Sequence, residues 1–359
     1  MAISGRRRDP SAPTFSRAQG AGEEVPLLPD TTAQPVQDAA GRMPDFFIIG
    51  HEKSGTTALY RMLQAHPQIF MPELKEPRFF LRDASMMTPS RPGSIRPKTL
   101  AEYLSLFAAA APGQRVGEAS PQYIRSGRAA NRIAAAQPAA RIIAILREPA
   151  SFLRSYHFQN VGEAIETERD LRKAMALEDA RREGKQIPPS CEAPDRLLYS
   201  SHVRYAEQLG RFRALFPPER VLTLIYDDFR RDNEATIRQV LRFLEVDDSM
   251  PIAPIEVEGS RRKQVRFMRL HHMTRAIRRA RHNPNAAPTL ARVANALTPR
   301  PMQGHTFEYL WRRLVYAAPG PADEQLMLEL RRRFKPEVVA LSNLLGRDLV
   351  TLWGYDRIS

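Results

Sequence analysis

The sequence predicts an α/β fold, a parallel sheet flanked by helices on both faces with additional helices at the C-terminal end. Three predominantly apolar runs carry that reading: FFII at 46–49, RIIAIL at 141–146 and VLTLIY at 221–226. Such runs suit strands buried on both faces, where both sets of alternating side chains meet helices. Helical periodicity fills the intervals between them. That alternation places ligands at the C-terminal edge of the strands.

Taken in order, residues 1–42 are rich in Ala, Pro, Gly and polar residues without periodicity, the composition of a disordered leader, and the folded domain is expected over 43–359. After the first strand, Leu59, Met62 and Leu63 recur at helical spacing, and Pro67 ends that helix before a second strand. Pro89, Pro92, Gly93 and Pro97 mark an exposed loop at 85–98, and 100–110 returns to helix. A short strand is expected at 116–120, closed by Pro121, and a helix at 126–136 capped by Ser126. Pro149 sits where a helix begins after the 141–146 strand. Further helices are expected at 151–161, 171–182, 197–216, 232–244, 306–316 and 323–345, the last with Leu326, Leu330, Phe334 and Val338 on one face.

With 359 residues and 43% hydrophobic content, the chain can build a sizeable core. The net charge of +14 favours anionic ligands or surfaces. Much of it lies in a stretch without any acidic residue, 259–307, where Phe267, Leu270, Met273 and Ile277 fall among arginines. The 261–281 segment reads as a basic amphipathic helix for an anionic membrane surface or an acidic acceptor, and equally as a solvated basic face. No recognition motif supports nucleic-acid binding. A single cysteine, Cys191, excludes an internal disulfide and any zinc spacing. No apolar run follows Arg6, Arg7 and Arg8, so the expected location is the cytoplasm, peripheral to the membrane if the basic segment engages it.

The chemistry concentrates in 45–80, DFFIIGHEKSGTTALYRMLQAHPQIFMPELKEPRFF. A glycine-containing turn between a buried strand and a helix aims backbone N–H groups and the positive end of the helix dipole at one point, which suits an anion. Lys53 adds a charge, and Ser54, Thr56 and Thr57 add hydroxyls around Gly55. A triphosphatase loop would place its lysine after the second glycine, as G-x-x-x-x-G-K-[ST]. Here Lys53 precedes Gly55.

KSGTT resembles the 5'-phosphosulfate loop of sulfotransferases that use 3'-phosphoadenosine 5'-phosphosulfate (PAPS), and three further stretches match that family in order. Arg147 and Ser155 resemble its 3'-phosphate site, R-x-P-x-x-x-x-x-S. KEPRFF at 75–80 resembles the K-E-P-x-F-F segment of glycan-type and bacterial members, whose Glu is the catalytic base. GEASPQY at 117–123 resembles a segment beside the substrate cleft, and LGRDLVTLW near the C-terminus is a fainter echo. The resemblance implies the sulfotransferase fold, a P-loop-like parallel sheet, and sulfuryl transfer from PAPS to a hydroxyl, leaving adenosine 3',5'-bisphosphate (PAP), without a metal. The acceptor is left open between a glycan, a lipid or quinol, and a secondary metabolite.

On that basis Lys53 neutralises the bridging oxygen of the donor, and Ser54, Gly55, Thr56 and Thr57 surround its 5'-phosphate. Arg147 and Ser155, with Ser260, Arg261 and Arg262 from the basic stretch, hold the 3'-phosphate. Glu76 takes the acceptor proton, and Lys75 and Glu118 face the acceptor, Glu118 being the reserve base. Read without the resemblance, Glu76 is a structural cap or ion-pair partner of Lys75 or Arg78, and Glu118 of Arg115, the structural role being the preferred one for Glu118. His51, His157 and His202 read as packed or cleft-lining. The rival functions are a P-loop-type kinase and a catalytically silent, basic, membrane-associated binding protein.

Overall fold

The structure is a computed structural model, and it describes residues 41–81, 96–252, 264–265, 316–317 and 321–358. Five parallel strands form its centre: β1 (Phe46–Gly50), β2 (Ile69–Phe70), β3 (Arg115–Ala119), β4 (Arg141–Leu146) and β5 (Val221–Ile225). Their spatial order is β2-β3-β1-β4-β5. β1 lies between β3 and β4, pairing Phe47 with both Glu118 and Ile142. Chain direction across the sheet reverses at β1, so the ends of β1, β3 and β4 open a crevice at a topological switch point.

Helices cover both faces. On one side α1 (Thr56–Gln64), with α8 (Tyr226–Arg231) and α9 (Asn233–Leu244), packs Leu59, Leu63, Phe229, Val240 and Leu241 against Phe46, Ile48, Ile143 and Ile145. On the other, Phe47, Ile49, Ile142, Ala144 and Leu146 meet α2 (Leu100–Ser105), α3 (Ala129–Ala136), α4 (Pro149–Gly162), α7 (Tyr205–Arg213) and α10 (Glu324–Leu345). Alternate residues of β1 thus belong to opposite layers, which is why its sequence is apolar throughout. Each fully buried Ile or Phe contributes about 1.5–3 kcal/mol of hydrophobic stabilisation.

Most expected elements form, with local corrections. The 126–136 helix starts later, at Ala129, because the Ser126 hydroxyl accepts from Arg128 and Ala129 in a turn ahead of it. The 171–182 helix is divided into α5 (Leu171–Ala176) and α6 (Glu178–Arg182). The expected 197–216 helix is divided too: 3-10 turns at Pro194–Leu197 and Tyr199–Val203 precede α7. There the Ser200 N–H is taken by the buried Glu178 carboxylate at 2.8 Å and the Ser201 hydroxyl by the Leu198 carbonyl at 2.6 Å. Tertiary and local side-chain bonds compete with the helical ladder. The 100–110 helix ends at Ser105. α10 runs as expected, with Leu330, Phe334 and Val338 buried, Leu341 buried with them and Leu326 half-buried against the same core, and α11 (Leu349–Leu352) follows. Tyr316 belongs to a short strand, β7 (Tyr316–Ala317), antiparallel to β6 (Gln264–Val265), rather than to a helix. The rest of the expected 306–316 helix, most of the 85–98 loop, most of the leader and the 266–281 part of the basic segment lie outside the described residues.

Gly50, at the end of β1, has φ +139°, and a Cβ there would overlap the Ile145 carbonyl of the neighbouring strand. Gly50→Ala is expected to cost about 2–4 kcal/mol, from positive-φ strain and overlap with backbone that cannot move aside. Urea unfolding of the two proteins measures it directly.

Candidate active site

The loop leaving β1 enters α1 through Gly55, φ +90°, whose Cβ position is 3.1 Å from both Phe229 and Tyr226 rings of α8. Gly55 is the N-cap residue and has no side chain to cap the helix, so the first N–H groups of α1 gain no side-chain acceptor from that position. Beside them Ser54 is fully buried, and its hydroxyl has no hydrogen-bond partner among the described residues. Thr56 is buried and Thr57 exposed. Lys53 adopts φ +69°, a left-handed conformation that costs a non-glycine residue about 1–2 kcal/mol. An orphaned buried hydroxyl beside an uncapped helix N-terminus fits a bound phosphate or sulfate.

Arg147 approaches from the end of β4. Its guanidinium donates to the Lys53 carbonyl at 2.8 Å and to the Ser151 hydroxyl at 2.9 Å, and lies over the Tyr226 ring at 4.7 Å. It thus joins the loop to α4 and α8 while lying almost wholly buried. Ser155 is buried one turn beyond Ser151 on α4. Ser151 was not singled out from the sequence, although i,i+4 spacing from Ser155 would have placed both hydroxyls on one helix face. Ser260, Arg261 and Arg262 lie outside the described residues.

Glu76 is brought to the sheet edge by its N–H bond to the Ala119 carbonyl at the end of β3. Its carboxylate is bound by Lys75 at 2.7 Å, Arg78 at 2.5 Å and the Gln122 amide at 3.1 Å. Burial pushes this carboxyl up, but Lys75 and Arg78 outweigh burial and hold it at about 2. Glu76 is therefore ionised at any physiological pH. Glu76 and Arg78 both have positive φ, at 60° and 56°, so the KEPR turn is a strained segment. Its shape is secured by the Arg78 N–H bond to the Ser120 hydroxyl at 3.0 Å.

Glu118 has a different environment. Arg115 and Glu118 point to opposite faces of β3, so the expected pair does not form: Arg115 pairs with Glu245. Glu118 is fully buried and accepts from the Tyr103 and Tyr123 hydroxyls at 2.5 and 3.1 Å. Burial, only partly offset by those hydroxyls and Ser120, raises its carboxyl to about 7. The folded protein thus binds a proton that the unfolded chain has released between about pH 4.5 and 7, so this group makes stability fall as pH rises through that window. Glu118→Gln is expected to flatten that slope and to recover on the order of 3 kcal/mol at pH 8. Thermal melts of both proteins from pH 5 to pH 8 test this.

Behind the loop lies a polar cluster that sequence spacing did not reveal. The Glu52 carboxylate pairs with Arg125 at 3.2 Å, and Arg125 donates to His202 Nδ1 at 2.6 Å. Burial raises the Glu52 carboxyl, but Arg125, with Arg78 and Arg196, overcomes this and holds it at about 2. His51 is bonded through Nε2 to Gln208 at 2.9 Å; burial and then Arg125 lower it to about 4. His202 is lowered well below its ordinary value by burial and then Arg125. All three of His51, His157 and His202 are packed inside, as expected. Trp353 is buried, with its indole N–H on Asp227 at 2.9 Å. Trp311 lies outside the described residues. Among the described residues, no group of His, Cys, Asp or Glu side chains is arranged to hold a metal ion, and no helix is long and apolar enough to cross a membrane.

Comparison with known proteins agrees with this geometry. The chain is 27% identical over 226 residues to mouse (Mus musculus) heparan sulfate glucosamine 3-O-sulfotransferase 3A1, covering 63% of this chain and 52% of that protein. It is 27% identical over 213 residues to human (Homo sapiens) bifunctional heparan sulfate N-deacetylase/N-sulfotransferase 3, covering 57% of this chain and 22% of that protein. The chain therefore spans between about a fifth and a half of these curated relatives. A solved sulfotransferase from Alicyclobacillus acidocaldarius has the same fold, with a TM-score of 0.58 at 23% identity, covering 86% of this chain and 98% of that one. The sequence model of the Sulfotransferase family matches residues 44–250, which include the loop, the KEPR turn, β3 and Arg147. The chain belongs to the sulfotransferase family.

Proposed function

We propose that this protein transfers a sulfuryl group from PAPS to a hydroxyl of a carbohydrate-class acceptor, with Glu76 as the base. The observation that carries the reading is the convergence of an uncapped helix N-terminus, the buried Ser54 hydroxyl and Arg147 on one side of the crevice, with the Glu76 carboxylate on the β3 side. Bound there, PAPS supplies the sulfuryl group and a leaving phosphate. The N-terminus of α1 with Ser54, Gly55, Thr56 and Thr57 holds the 5'-phosphate. Lys53 neutralises the bridging oxygen as its bond to sulfur breaks, while Arg147, with Ser151 and Ser155, holds the 3'-phosphate.

On the acceptor side, Glu76 takes the proton as the acceptor oxygen bonds to sulfur. Its two cationic partners do a second job: Lys75 and Arg78 keep the carboxylate ionised and in place before the hydroxyl arrives. Glu118, buried between two tyrosine hydroxyls, supports the cleft wall instead of contacting the acceptor. The carbohydrate class rests on the relatives' names, heparan sulfate glucosamine sulfotransferases among them, and on the polar rim of Lys75, Arg78 and Gln122 around Glu76. The order of Lys53 and Gly55 argues against the kinase reading. A cytoplasmic location and peripheral contact of the 261–281 segment with anionic lipid belong to the same proposal.

Sulfur-35-labelled PAPS incubated with desulfated glycosaminoglycans, simple glycosides, glycolipids and quinols tests it. Label is expected on a sugar hydroxyl with the wild-type protein and not with Glu76→Gln. Transfer of the γ-phosphoryl group of ATP to any of these acceptors, without sulfuryl transfer, would contradict it.

A further inference from the structure

A carboxylate inside an anion-binding loop is an electrostatic anomaly. Glu52 directly precedes Lys53, and an unpaired negative charge there would repel the phosphate or sulfate that the helix N-terminus is built to receive. The structure neutralises it from behind: Arg125, in the 3-10 turn after β3, pairs with Glu52, both side chains being only 10% exposed. The same guanidinium reaches His202, which is buried and neutral and accepts through Nδ1. Arg211 of α7 then secures the turn by donating to the Ile124 and Arg125 carbonyls at 3.1 and 3.3 Å.

The neighbours of Glu52 are held as well. His51 is fixed to Gln208 of α7 and packed against Tyr205, with ring centroids 4.5 Å apart. The Lys53 carbonyl is held by Arg147, at the end of β4. Three consecutive loop residues are therefore anchored through three different elements, and the third of them is the one in a left-handed conformation. Strained backbone persists where its surroundings over-determine it.

We propose that Glu52 and Arg125 are a positioning pair that locks the loop in its left-handed turn and so sets the donor-binding geometry of Lys53 and the α1 N-terminus. The inference rests on the donor reading of this loop. The pair adds almost no net charge at the anion site while fixing the backbone beside it. On this reading the pair acts through the backbone of the loop.

Calorimetric titration of the full chain with PAP, on wild type, Glu52→Gln, Arg125→Lys and the double variant, tests this. Glu166→Gln serves as the control, because Glu166 pairs with Arg181 at 2.8 Å in a still more deeply buried site, and its other partners, the Tyr199 hydroxyl and the Thr167 and Glu168 N–H groups, are not loop residues. The expected result is about a tenfold weaker PAP dissociation constant in either single variant, with the double variant no weaker than the singles, since both remove one coupling. Donor KM is expected to rise with that constant and kcat to change less. Glu166→Gln is expected to lower the melting temperature without moving PAP affinity. The binding stoichiometry gives the folded share of each variant, and if Glu52→Gln fails to fold, Arg125→Lys reads the same coupling with the charge retained. Unchanged PAP affinity in the single variants, or independent multiplicative losses in the double, would overturn the pair's positioning role. A wild-type protein that does not bind PAP would overturn the donor reading, and the proposal with it.

Discussion

Glu76→Gln is expected to lower kcat by about 10²–10⁴-fold, the range over which a positioned general base contributes. The amide keeps the size of the carboxylate and can still accept from Lys75, Arg78 or Gln122, so the strained KEPR turn should keep its shape. What it loses is the capacity to take a proton. PAP affinity should therefore be unchanged, because the side chain lies at the β3 edge and not in the loop. With the carboxyl held at about 2, the acidic limb of kcat/KM from this residue should lie below pH 4. Steady-state rates from pH 4 to pH 9 and a parallel PAP titration separate the two roles. Retained turnover would move the base elsewhere.

The second large effect is expected at Arg147. Arg147→Ala removes a charge-assisted donor to a phosphate and also the bond that holds the Lys53 carbonyl, together about 3 kcal/mol or more, or at least a hundredfold in PAP affinity. Arg147→Lys should recover only a small part, since an ammonium cannot reach the Lys53 carbonyl and Ser151 together and also stack on Tyr226. Calorimetry on both variants measures it. Equal affinities of the Lys and wild-type proteins would mean that only the charge matters.

How much of this was legible in the sequence depended on the distance over which each feature is decided. β4 was read to the residue because burial on both faces leaves an unbroken apolar run bounded by charges. The turn into α1 was equally legible, since glycine placement and strand-to-helix order are local. The 197–216 stretch was not: its helical pattern is real, but Glu178, 22 residues away, captures the N–H that a continuous helix would use. The Glu52–Arg125 pair joins residues 73 apart, and Arg125 reaches His202 across another 77. Nothing in the spacing of a lone Glu and a lone Arg signals such a cluster. Glu118 shows the same limit in reverse. Its neighbour in sequence, Arg115, suggested a surface ion pair, whereas strand alternation turns it inward to Tyr103 and Tyr123.

The measurement that bears most directly on the central claim is calorimetric titration of the purified protein with PAP, set beside adenosine 5'-monophosphate and ATP with magnesium. The account predicts selective binding of PAP, lost in Lys53→Ala and in Arg147→Ala. Binding of ATP with magnesium and none of PAP would contradict it and turn the loop into a triphosphate site.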